Sequence, residues 1–228
     1  MKRTRIKFCG ITRLEDALLA AELGVDALGF VFVPGSRRNI QPEVAADIAA
    51  ALPPFVSTVA LFMDAAAADI QTVLDSFRPT LLQFHGVEPP EDCTPWGLPY
   101  LKAVPMGGSV AATPEQARQR LADFTTRYYT ATALLLDGHP PGAMGGSGER
   151  LDWDSLTPGA QRLILAGGLT PERVGAAMLS LQPWAVDVSS GIEDAPGRKS
   201  VQQMRDFVAA VRIADQQLAV QAPLHLPT

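Results

Sequence analysis

Cysteine is scarce in this sequence, which has only Cys9 and Cys93 among its 228 residues. Two cysteines are too few for the disulfide framework of a small secreted domain, and both are expected as free thiols in a reducing compartment. Basic residues are also outnumbered, because 19 Lys and Arg stand against 24 Asp and Glu, for a net charge of −5. Nucleic-acid and anionic-membrane surfaces need clustered positive charge, so we expect neither nucleic acid nor membrane as a partner.

Long apolar runs are missing too. No uncharged apolar run reaches the ~18 residues that a membrane span requires, and Arg5 and Lys7 interrupt any signal-peptide core. We therefore expect a cytoplasmic protein. Hydrophobic residues still make up 47% of the chain, enough to build one core but not two large domains. We expect one domain over residues 1–214, followed by a tail over residues 215–228 that frays because it carries little pattern.

Strand-like apolar runs alternate with Ala-rich, helix-like segments along the whole chain. The runs predict eight strands: Arg5–Phe8, Ala27–Phe32, Val56–Phe62, Leu81–Phe84, Tyr100–Val104, Ala133–Leu136, Arg162–Leu165 and Ala185–Val188. The longer predicted helices are Leu14–Leu23, Pro42–Leu52, Ala65–Phe77, Thr113–Thr126, Pro171–Ser180 and Ser200–Ala214. Shorter helices are predicted near Glu88–Cys93 and Asp154–Leu156.

The predicted strands are nearly continuous apolar runs, as in Ala133–Leu136. Such runs are typical of a parallel sheet that is buried on both faces. Eight strand–helix units within 228 residues predict an α/β protein, a single (βα)8 or TIM barrel with a core of eight parallel strands. An open doubly wound sheet is the structural alternative. It normally uses roughly five or six strands, and no Gly-x-Gly-x-x-Gly follows the first strand here.

In a (βα)8 barrel the functional groups lie at the C-terminal ends of the strands. Cys9 ends the first predicted strand and Asp137 follows the sixth, which would place a proton acceptor and a proton donor across one barrel mouth. Arg38, in the loop after the second strand, is suited to a bidentate bond with a substrate carboxylate. Each also has a structural interpretation: a small buried thiol, an Asp-Gly turn and a solvated loop cation.

Glycines follow the last two predicted strands, at Gly167-Gly168 and at Gly191, which is preceded by Ser189-Ser190. Backbone N–H groups of glycine loops can approach phosphate oxygens closely, and a short helix starting near Ser190 would add its positive end. Phosphate-binding barrels use these two loops. The alternative is a plain turn before a helix that Thr170 caps. Together with Cys9 and Asp137, the loops indicate a small phosphorylated substrate and acid–base chemistry on a sugar phosphate.

The motifs at the strand ends occur in a defined order: Lys7–Thr12, Ser36-x-Arg38-x-Ile40, Gln83–Gly86, Leu136-Asp137, Gly145–Gly148, Asp152-Trp153, Leu165–Leu169 and Asp187–Glu193. In this order, from the first strand to the last helix, the chain resembles the phosphoribosylanthranilate isomerase family of tryptophan biosynthesis. The departures are mild. Phe84 stands where leucine is more usual, and Ser189 stands where asparagine is commoner.

The resemblance implies a reaction and a role for each site residue. Asp137 would be the general acid that protonates the ribose ring oxygen of N-(5-phosphoribosyl)anthranilate. Cys9 would be the general base that removes the C2′ proton, completing an Amadori rearrangement to 1-(o-carboxyphenylamino)-1-deoxyribulose 5-phosphate. Arg38 would bind the anthranilate carboxylate, and Asp187 would touch the sugar hydroxyls or position Cys9. The implied phosphate ligands are backbone groups of Gly167, Gly168, Ser190 and Gly191.

The family resemblance implies no cofactor and no metal, and it allows a homodimer. Other functions stay open. A different phosphosugar enzyme built on this barrel would want metal-binding histidines or a Lys/Glu pair, and only His85 and His139 lie near strand ends. A non-catalytic barrel that binds a phosphorylated ligand would keep the glycine loops without needing Cys9 and Asp137.

A catalytic thiol also has to lose its proton. A free cysteine has a pKa of roughly 8.5 and is mostly protonated at neutral pH. The candidates that would help Cys9 are the charge of Lys7, which shares its side of the strand if the strand is regular, and the positive end of the first helix. Thr12 is expected to cap that helix.

Overall fold

The apolar runs form the strands of a barrel. The structure, a computed structural model, describes residues 3–111, 113–138 and 162–221. Within them, eight parallel strands pair in chain order and close into a barrel where the eighth meets the first. The strands are β1 (Arg5–Cys9), β2 (Ala27–Val31), β3 (Ser57–Phe62), β4 (Leu81–Phe84), β5 (Tyr100–Pro105), β6 (Ala133–Asp137), β7 (Leu163–Leu165) and β8 (Ala185–Val188). The predicted (βα)8 fold is confirmed, and the open sheet is excluded.

Helices cover the outside of the barrel. They are α1 (Leu14–Glu22), α2 (Pro42–Ala50), α3 (Ala67–Ser76), α4 (Pro90–Cys93), α5 (Pro114–Arg127), α6 (Pro171–Leu181) and α7 (Val201–Gln221). Short 3-10 helices span Gly108–Ala111 and Ser190–Ile192. The helix predicted near Asp154–Leu156 lies outside the described residues. None of the helices within the described ranges has both the length and the apolar character needed to cross a bilayer.

The last helix is longer than the sequence predicted, because α7 continues past Ala214 to Gln221. Asp215 explains the extension. Its carboxylate accepts two hydrogen bonds from the main-chain N–H of Thr4, at 3.0 and 3.2 Å, and pairs with Arg212 at 3.1 Å. These contacts tie the helix to the start of β1, so the first part of the predicted tail is helical and anchored.

A small antiparallel hairpin, β9 (Glu193–Ala195) and β10 (Arg198–Lys199), lies between β8 and α7. The sequence did not predict it. The two strands have three and two residues, too few to show a period. The hairpin brings Lys199 back over the mouth of the barrel, where its side chain is buried.

Strand side chains alternate between two apolar layers. On β1, Ile6 and Phe8 face the helices, and the Phe8 ring meets the edge of Phe207 on α7 with 6.0 Å between ring centroids. The inward-facing layer contains a compact apolar cluster: Val59, Leu101, Ala103, Ala133, Leu135, Ile164, Ala166 and Ala185. This cluster fills the barrel interior. Polar side chains occupy the inward positions nearer the C-terminal ends of the strands, where they line a cavity.

Candidate functional site

A cavity of about 790 Å³ opens at the C-terminal ends of the barrel strands. Its walls combine an apolar side, formed by residues such as Val31, Leu61 and Met63, with a polar side. All of the site residues that the sequence predicted line this one cavity: Cys9, Arg38, Asp137, Gly167, Gly168, Asp187, Ser190 and Gly191. The fold therefore brings the predicted set together, while their individual roles stay predictions.

Cys9 ends β1 and points into the barrel beside a buried ion pair. Cys9 is only 5% exposed to solvent. The Lys7 ammonium lies close enough to the thiol to lower its pKa, and it is 2.9 Å from a carboxylate oxygen of Asp187 on β8. The strand is regular, so the prediction that Lys7 shares the face of Cys9 is confirmed. Gly29 on β2 makes room for both side chains, because a Cβ there would lie 2.8 Å from the Cys9 sulfur.

The surroundings of Cys9 favour the protonated thiol. Burial raises the pKa of Cys9 above its ordinary value, the charges of Lys7 and Lys199 oppose this rise, and Asp187 adds to it. The predicted cap of the first helix is wrong: Arg13 is the N-cap of α1, and the Thr12 hydroxyl donates to the carbonyl of Gly197 instead. The cations beside the thiol, rather than a capped helix, are what supports its ionised form.

Asp137 ends β6 and forms a hydrogen-bonded chain with His85 and Gln83, which lie in and just beyond β4. The His85 Nε2 lies 2.9 Å from Asp137 Oδ2. On the other side of the ring, Gln83 Nε2 lies 3.1 Å from His85 Nδ1. With the amide in this orientation, Gln83 donates to Nδ1, so the imidazole carries its proton on Nε2 and donates to Asp137. Gln83 is fully buried, and its Oε1 has no hydrogen-bond partner among the described residues.

From the sequence, His85 was expected at most to bind a metal, and no role was predicted for Gln83. One signal would have identified them. Residues two apart on a strand share a face, so Gln83 and His85, in and just beyond β4, both point into the barrel once the strand is placed. No group of three His, Cys, Asp or Glu side chains within the described ranges is placed to hold a metal ion.

Arg38 is held by the carboxylate of Glu193, for which the sequence predicted no role. Glu193 accepts hydrogen bonds from Arg38 Nε and Nη2, both at 2.8 Å. Burial alone would raise the pKa of Glu193, but the hydrogen bonds and charges of Arg38 and Lys199 hold it below its usual value. Hydrogen bonding to Glu193 likewise raises the pKa of Arg38. The pair is therefore ionised, with the Arg38 fork fixed at the cavity wall.

The two glycine loops after β7 and β8 are in direct contact. Gly167 has φ of +78°, and a Cβ there would clash with the main chain of Gly138 beside Asp137. At Gly191 a Cβ would clash with the carbonyl oxygen of Leu169. Glycine is thus required at both positions. The predicted short helix is present as the 3-10 turn Ser190–Ile192. Three glycines of these loops, Gly167, Gly168 and Gly191, line the cavity, and backbone N–H groups at glycine can approach a phosphate closely.

Chemically, the cavity offers a thiol, a carboxyl group and a guanidinium group around an apolar wall. A thiol and a carboxyl group are able to exchange protons with a ligand, and a guanidinium group binds a carboxylate in a planar fork. The arrangement suits acid–base chemistry on a small organic anion.

Several known proteins that are similar to this chain carry the same description. The family model for N-(5'phosphoribosyl)anthranilate (PRA) isomerase matches residues 6–210. The N-(5'-phosphoribosyl)anthranilate isomerase of Xanthomonas euvesicatoria pv. vesicatoria is 48% identical over 214 residues, covering 93% of this chain and 95% of that protein. The crystal structure of phosphoribosyl anthranilate isomerase from Thermus thermophilus is 42% identical, with a TM-score of 0.76, and covers 92% of this chain and 99% of that one.

A further solved structure contains a ligand. It is a phosphoribosyl anthranilate isomerase in complex with reduced 1-(o-carboxyphenylamino)-1-deoxyribulose 5-phosphate. It is 35% identical to this chain, with a TM-score of 0.74, and the match covers 92% of this chain and 98% of that one. The ligand named for that relative carries a carboxylate and a phosphate, the two anions that the sequence predicted for this cavity.

Proposed function

Because the chain belongs to the N-(5'-phosphoribosyl)anthranilate isomerase family, we propose that it converts N-(5-phosphoribosyl)anthranilate into 1-(o-carboxyphenylamino)-1-deoxyribulose 5-phosphate. One observation on this chain's own residues supports the proposal. Cys9, Asp137, Arg38 and the two glycine loops line a single cavity. A base, an acid, a carboxylate ligand and a phosphate site are thus available to one substrate of this kind.

The reaction is an internal transfer of hydrogen. Asp137 gives a proton to the ribose ring oxygen, the C1′–O bond breaks, and a Schiff base forms between C1′ and the anthranilate nitrogen. Cys9, as thiolate, removes the proton from C2′, and the electrons of that C–H bond give an enolamine. The enolamine tautomerises to the ketone, so C2′ is oxidised and C1′ is reduced. No external oxidant or reductant is needed.

The hydrogen bonds around the two catalytic groups support these roles. His85 donates to Asp137 at 2.9 Å, which holds the carboxyl group in one orientation at the cavity wall. Lys7 faces the Cys9 thiol and stabilises negative charge on sulfur as it forms. Asp187 pairs with Lys7 at 2.9 Å. Of the two roles left open for Asp187, this ion pair supports the positioning of Lys7 and Cys9 over contact with the sugar hydroxyls.

The two anions of the substrate have separate ligands in this proposal. Arg38 uses two of its five N–H donors on Glu193 and keeps three for the anthranilate carboxylate. The phosphate binds to the backbone of the two glycine loops, at Gly167, Gly168, Ser190 and Gly191. Close contact between the loops, which the missing side chain at Gly191 permits, supports a single shared phosphate position.

The test is conversion of freshly made phosphoribosylanthranilate, followed by the loss of its fluorescence. We expect turnover by the wild type, and a fall in kcat of roughly 10²–10⁴-fold in both Cys9→Ala and Asp137→Asn. Cys93→Ala, which alters the other buried thiol, is the matched control and should retain full activity. Wild-type rates in a folded Cys9→Ala variant would remove the base assignment. Absence of conversion by the wild type would favour a non-catalytic or different phosphosugar-binding barrel.

We further propose that the protein is a cytoplasmic enzyme of tryptophan biosynthesis and that it acts without a cofactor. The family assignment supports the pathway, and rescue of a tryptophan auxotroph that lacks this isomerase tests it. The proposed homodimer rests on the family resemblance, and sedimentation velocity at micromolar concentration distinguishes it from a monomer.

A further inference from the structure

The ammonium group of Lys199 is fully occupied inside the protein. It donates to the carbonyl oxygen of Cys9 at 2.6 Å, to that of Ser189 at 3.1 Å and to Glu193 Oε1 at 2.8 Å. An ammonium group has three N–H donors, and each of these is used. The Lys199 side chain is 0% exposed, so this residue acts on other residues rather than on a ligand.

Through Glu193, the same ammonium reaches Arg38. Glu193 Oε1 accepts from both Lys199 and Arg38, and Oε2 accepts from the second nitrogen of Arg38 at 2.8 Å. The aliphatic part of Arg38 lies against Gly10, where a Cβ would clash with it. Arg38 is thereby held between Glu193 and the main-chain turn that follows Cys9.

The backbone of Lys199 is fixed as well. Its N–H donates to Asp16 Oδ2 of α1 at 3.1 Å, and β10 pairs with β9 in the hairpin that carries Glu193. The ammonium is thus anchored from its own main chain. It connects three places in the fold: the end of β1, the end of β8 and the hairpin that holds Arg38.

The positive charge of Lys199 also changes the net charge of the cluster that it forms with Glu193 and Arg38. Glu193 alone would neutralise Arg38 and weaken its attraction for an anionic ligand. With Lys199 included, the two cations and one carboxylate carry a net charge of +1. A substrate carboxylate facing Arg38 then meets a positive cluster, while Glu193 still fixes the direction of the guanidinium group.

We propose that Lys199 is a positioning residue that fixes Arg38 and Cys9 relative to one another, so that a substrate held by its carboxylate presents C2′ to the thiol. The inference rests on the proposed function, because it takes Arg38 as the carboxylate ligand and Cys9 as the base. Misplacement of reacting groups by about 1 Å lowers rates by about 10²-fold, which sets the scale of the expected effect.

The test compares kcat and KM in three variants. Lys199→Met loses the contacts to both Cys9 and Glu193, so we expect a rise in KM and a fall in kcat, each of about 10-fold or more. Glu193→Gln weakens the contacts to Arg38 and to the Lys199 ammonium but keeps the hydrogen bond from Lys199 to the Cys9 carbonyl, so KM should rise by a similar factor with kcat changed less than about 3-fold. Arg198→Met is the matched control: Arg198 is the neighbouring cation on β10, with an exposed side chain paired to Asp194, and both constants should stay within about 2-fold.

Other roles for Lys199 predict different results. A purely structural role predicts a lower Tm with unchanged kcat and KM for the folded protein, and that outcome would overturn the inference. If Lys199→Met does not fold, Lys199→Met/Glu193→Gln removes the buried carboxylate that has lost one of its two cationic partners and retains the loss of the Cys9 contact, and its kcat should still fall. Normal kcat in that double variant also overturns the proposal.

The inference and the proposed function fail in different ways. Lack of turnover in the wild type would reject the function. Normal turnover in folded Lys199→Met would reject only the role of Lys199. A crystal structure of Lys199→Met gives a reading that does not depend on activity. We expect displacement of the Arg38 guanidinium and of the Cys9 carbonyl, and unchanged positions for both would refute the positioning role.

Discussion

Lys7→Met tests what allows a buried cysteine to act as a base. In the wild type, Lys7 faces the Cys9 thiol and pairs with Asp187, with side-chain exposures of 5% for Lys7 and 8% for Asp187. The substitution removes the cation but keeps the length of the side chain. It also leaves Asp187 negative beside the thiol. Because Lys7 lowers and Asp187 raises the pKa of Cys9, both consequences disfavour the thiolate.

The size of the effect follows from the electrostatic interaction between neighbouring charges. Two unit charges about 4 Å apart interact by ~4 kcal/mol at an effective dielectric constant of ~20. At 1.36 kcal/mol per factor of ten, this energy bounds the loss of thiolate at ~10³-fold. A thiolate population reduced by that much would slow the reaction by at most ~10³-fold, and relaxation and entering water reduce the change. We expect kcat/KM at pH 7 to fall by about 10²-fold.

Two measurements check this expectation. The pH dependence of Cys9 alkylation by iodoacetamide reports the thiol directly, with Cys9→Ala as the blank for Cys93. The pH dependence of kcat/KM reports the base in the free enzyme. In Lys7→Met both midpoints should move to higher pH. An unchanged alkylation midpoint in a folded Lys7→Met protein would refute the idea that Lys7 supports the thiolate.

The double variant Lys7→Met/Asp187→Asn separates charge from folding. Removing one partner of a buried ion pair typically destabilises a protein by ~3–5 kcal/mol, because the other charge is left uncompensated. The double variant has no such charge, so its free energy of unfolding should exceed that of Lys7→Met. The opposing effects on Cys9 are also removed together, so its alkylation midpoint should lie nearer to the wild type.

Three further outcomes are expected. His85→Ala should lower kcat by about 10-fold or more, because Asp137 loses the hydrogen bond that orients it. Gly29→Ala should lower kcat with the fold intact, because the new methyl group would lie 2.8 Å from the sulfur of Cys9 and displace it. Burial raises the pKa of Cys93 to about 12, while the thiol of the unfolded chain has a pKa of about 8.5. The free energy of unfolding is therefore unaffected by this thiol below about pH 8.5 and falls as the pH rises toward 12. Between pH 8.5 and 10.5, urea unfolding should show the wild type losing roughly 2 kcal/mol more than Cys93→Ala.

Matched variants sharpen two of these tests. His85→Gln keeps an N–H near the position of the imidazole Nε2, so it should retain more activity than His85→Ala if the hydrogen bond to Asp137 is what matters. Gly175→Ala adds a methyl group in open space on α6. Normal kcat in Gly175→Ala beside a reduced kcat in Gly29→Ala would assign the effect to the thiol contact, and equal rates in both would contradict it.

The barrel and the positions of its chemical groups were readable from the sequence for a physical reason. Strands buried on both faces, such as β6, must be apolar throughout, so their ends are marked where a polar residue such as Asp137 appears. In this fold those ends meet at one face. Locating Cys9 and Asp137 at strand ends was therefore enough to predict that they share a cavity.

The partners of these residues were not readable, because side-chain pairing depends on contacts between distant parts of the chain. Lys199 and the Cys9 carbonyl are 190 positions apart, and Arg38 and Glu193 are 155 apart. The hairpin that brings Lys199 over the barrel mouth is short and charged, without the apolar period that marks a strand. The end of α7 was missed because its anchor is the main chain of Thr4, at the other end of the sequence.

The charges within the site also favour a phosphate site made of backbone N–H groups in the two glycine loops. Arg38 is the only Lys or Arg among the described residues that line the cavity, and Lys7 and Lys199 are committed to Asp187 and Glu193. The proposed substrate carries a carboxylate and a phosphate, so its negative charge exceeds the net positive charge of these groups. Neutral N–H donors bind phosphate without drawing a cation away from the thiol or the carboxylate. A phosphate site made of glycine backbone would therefore leave both lysines in their ion pairs beside Cys9 and Arg38, which is where the proposed chemistry needs positive charge.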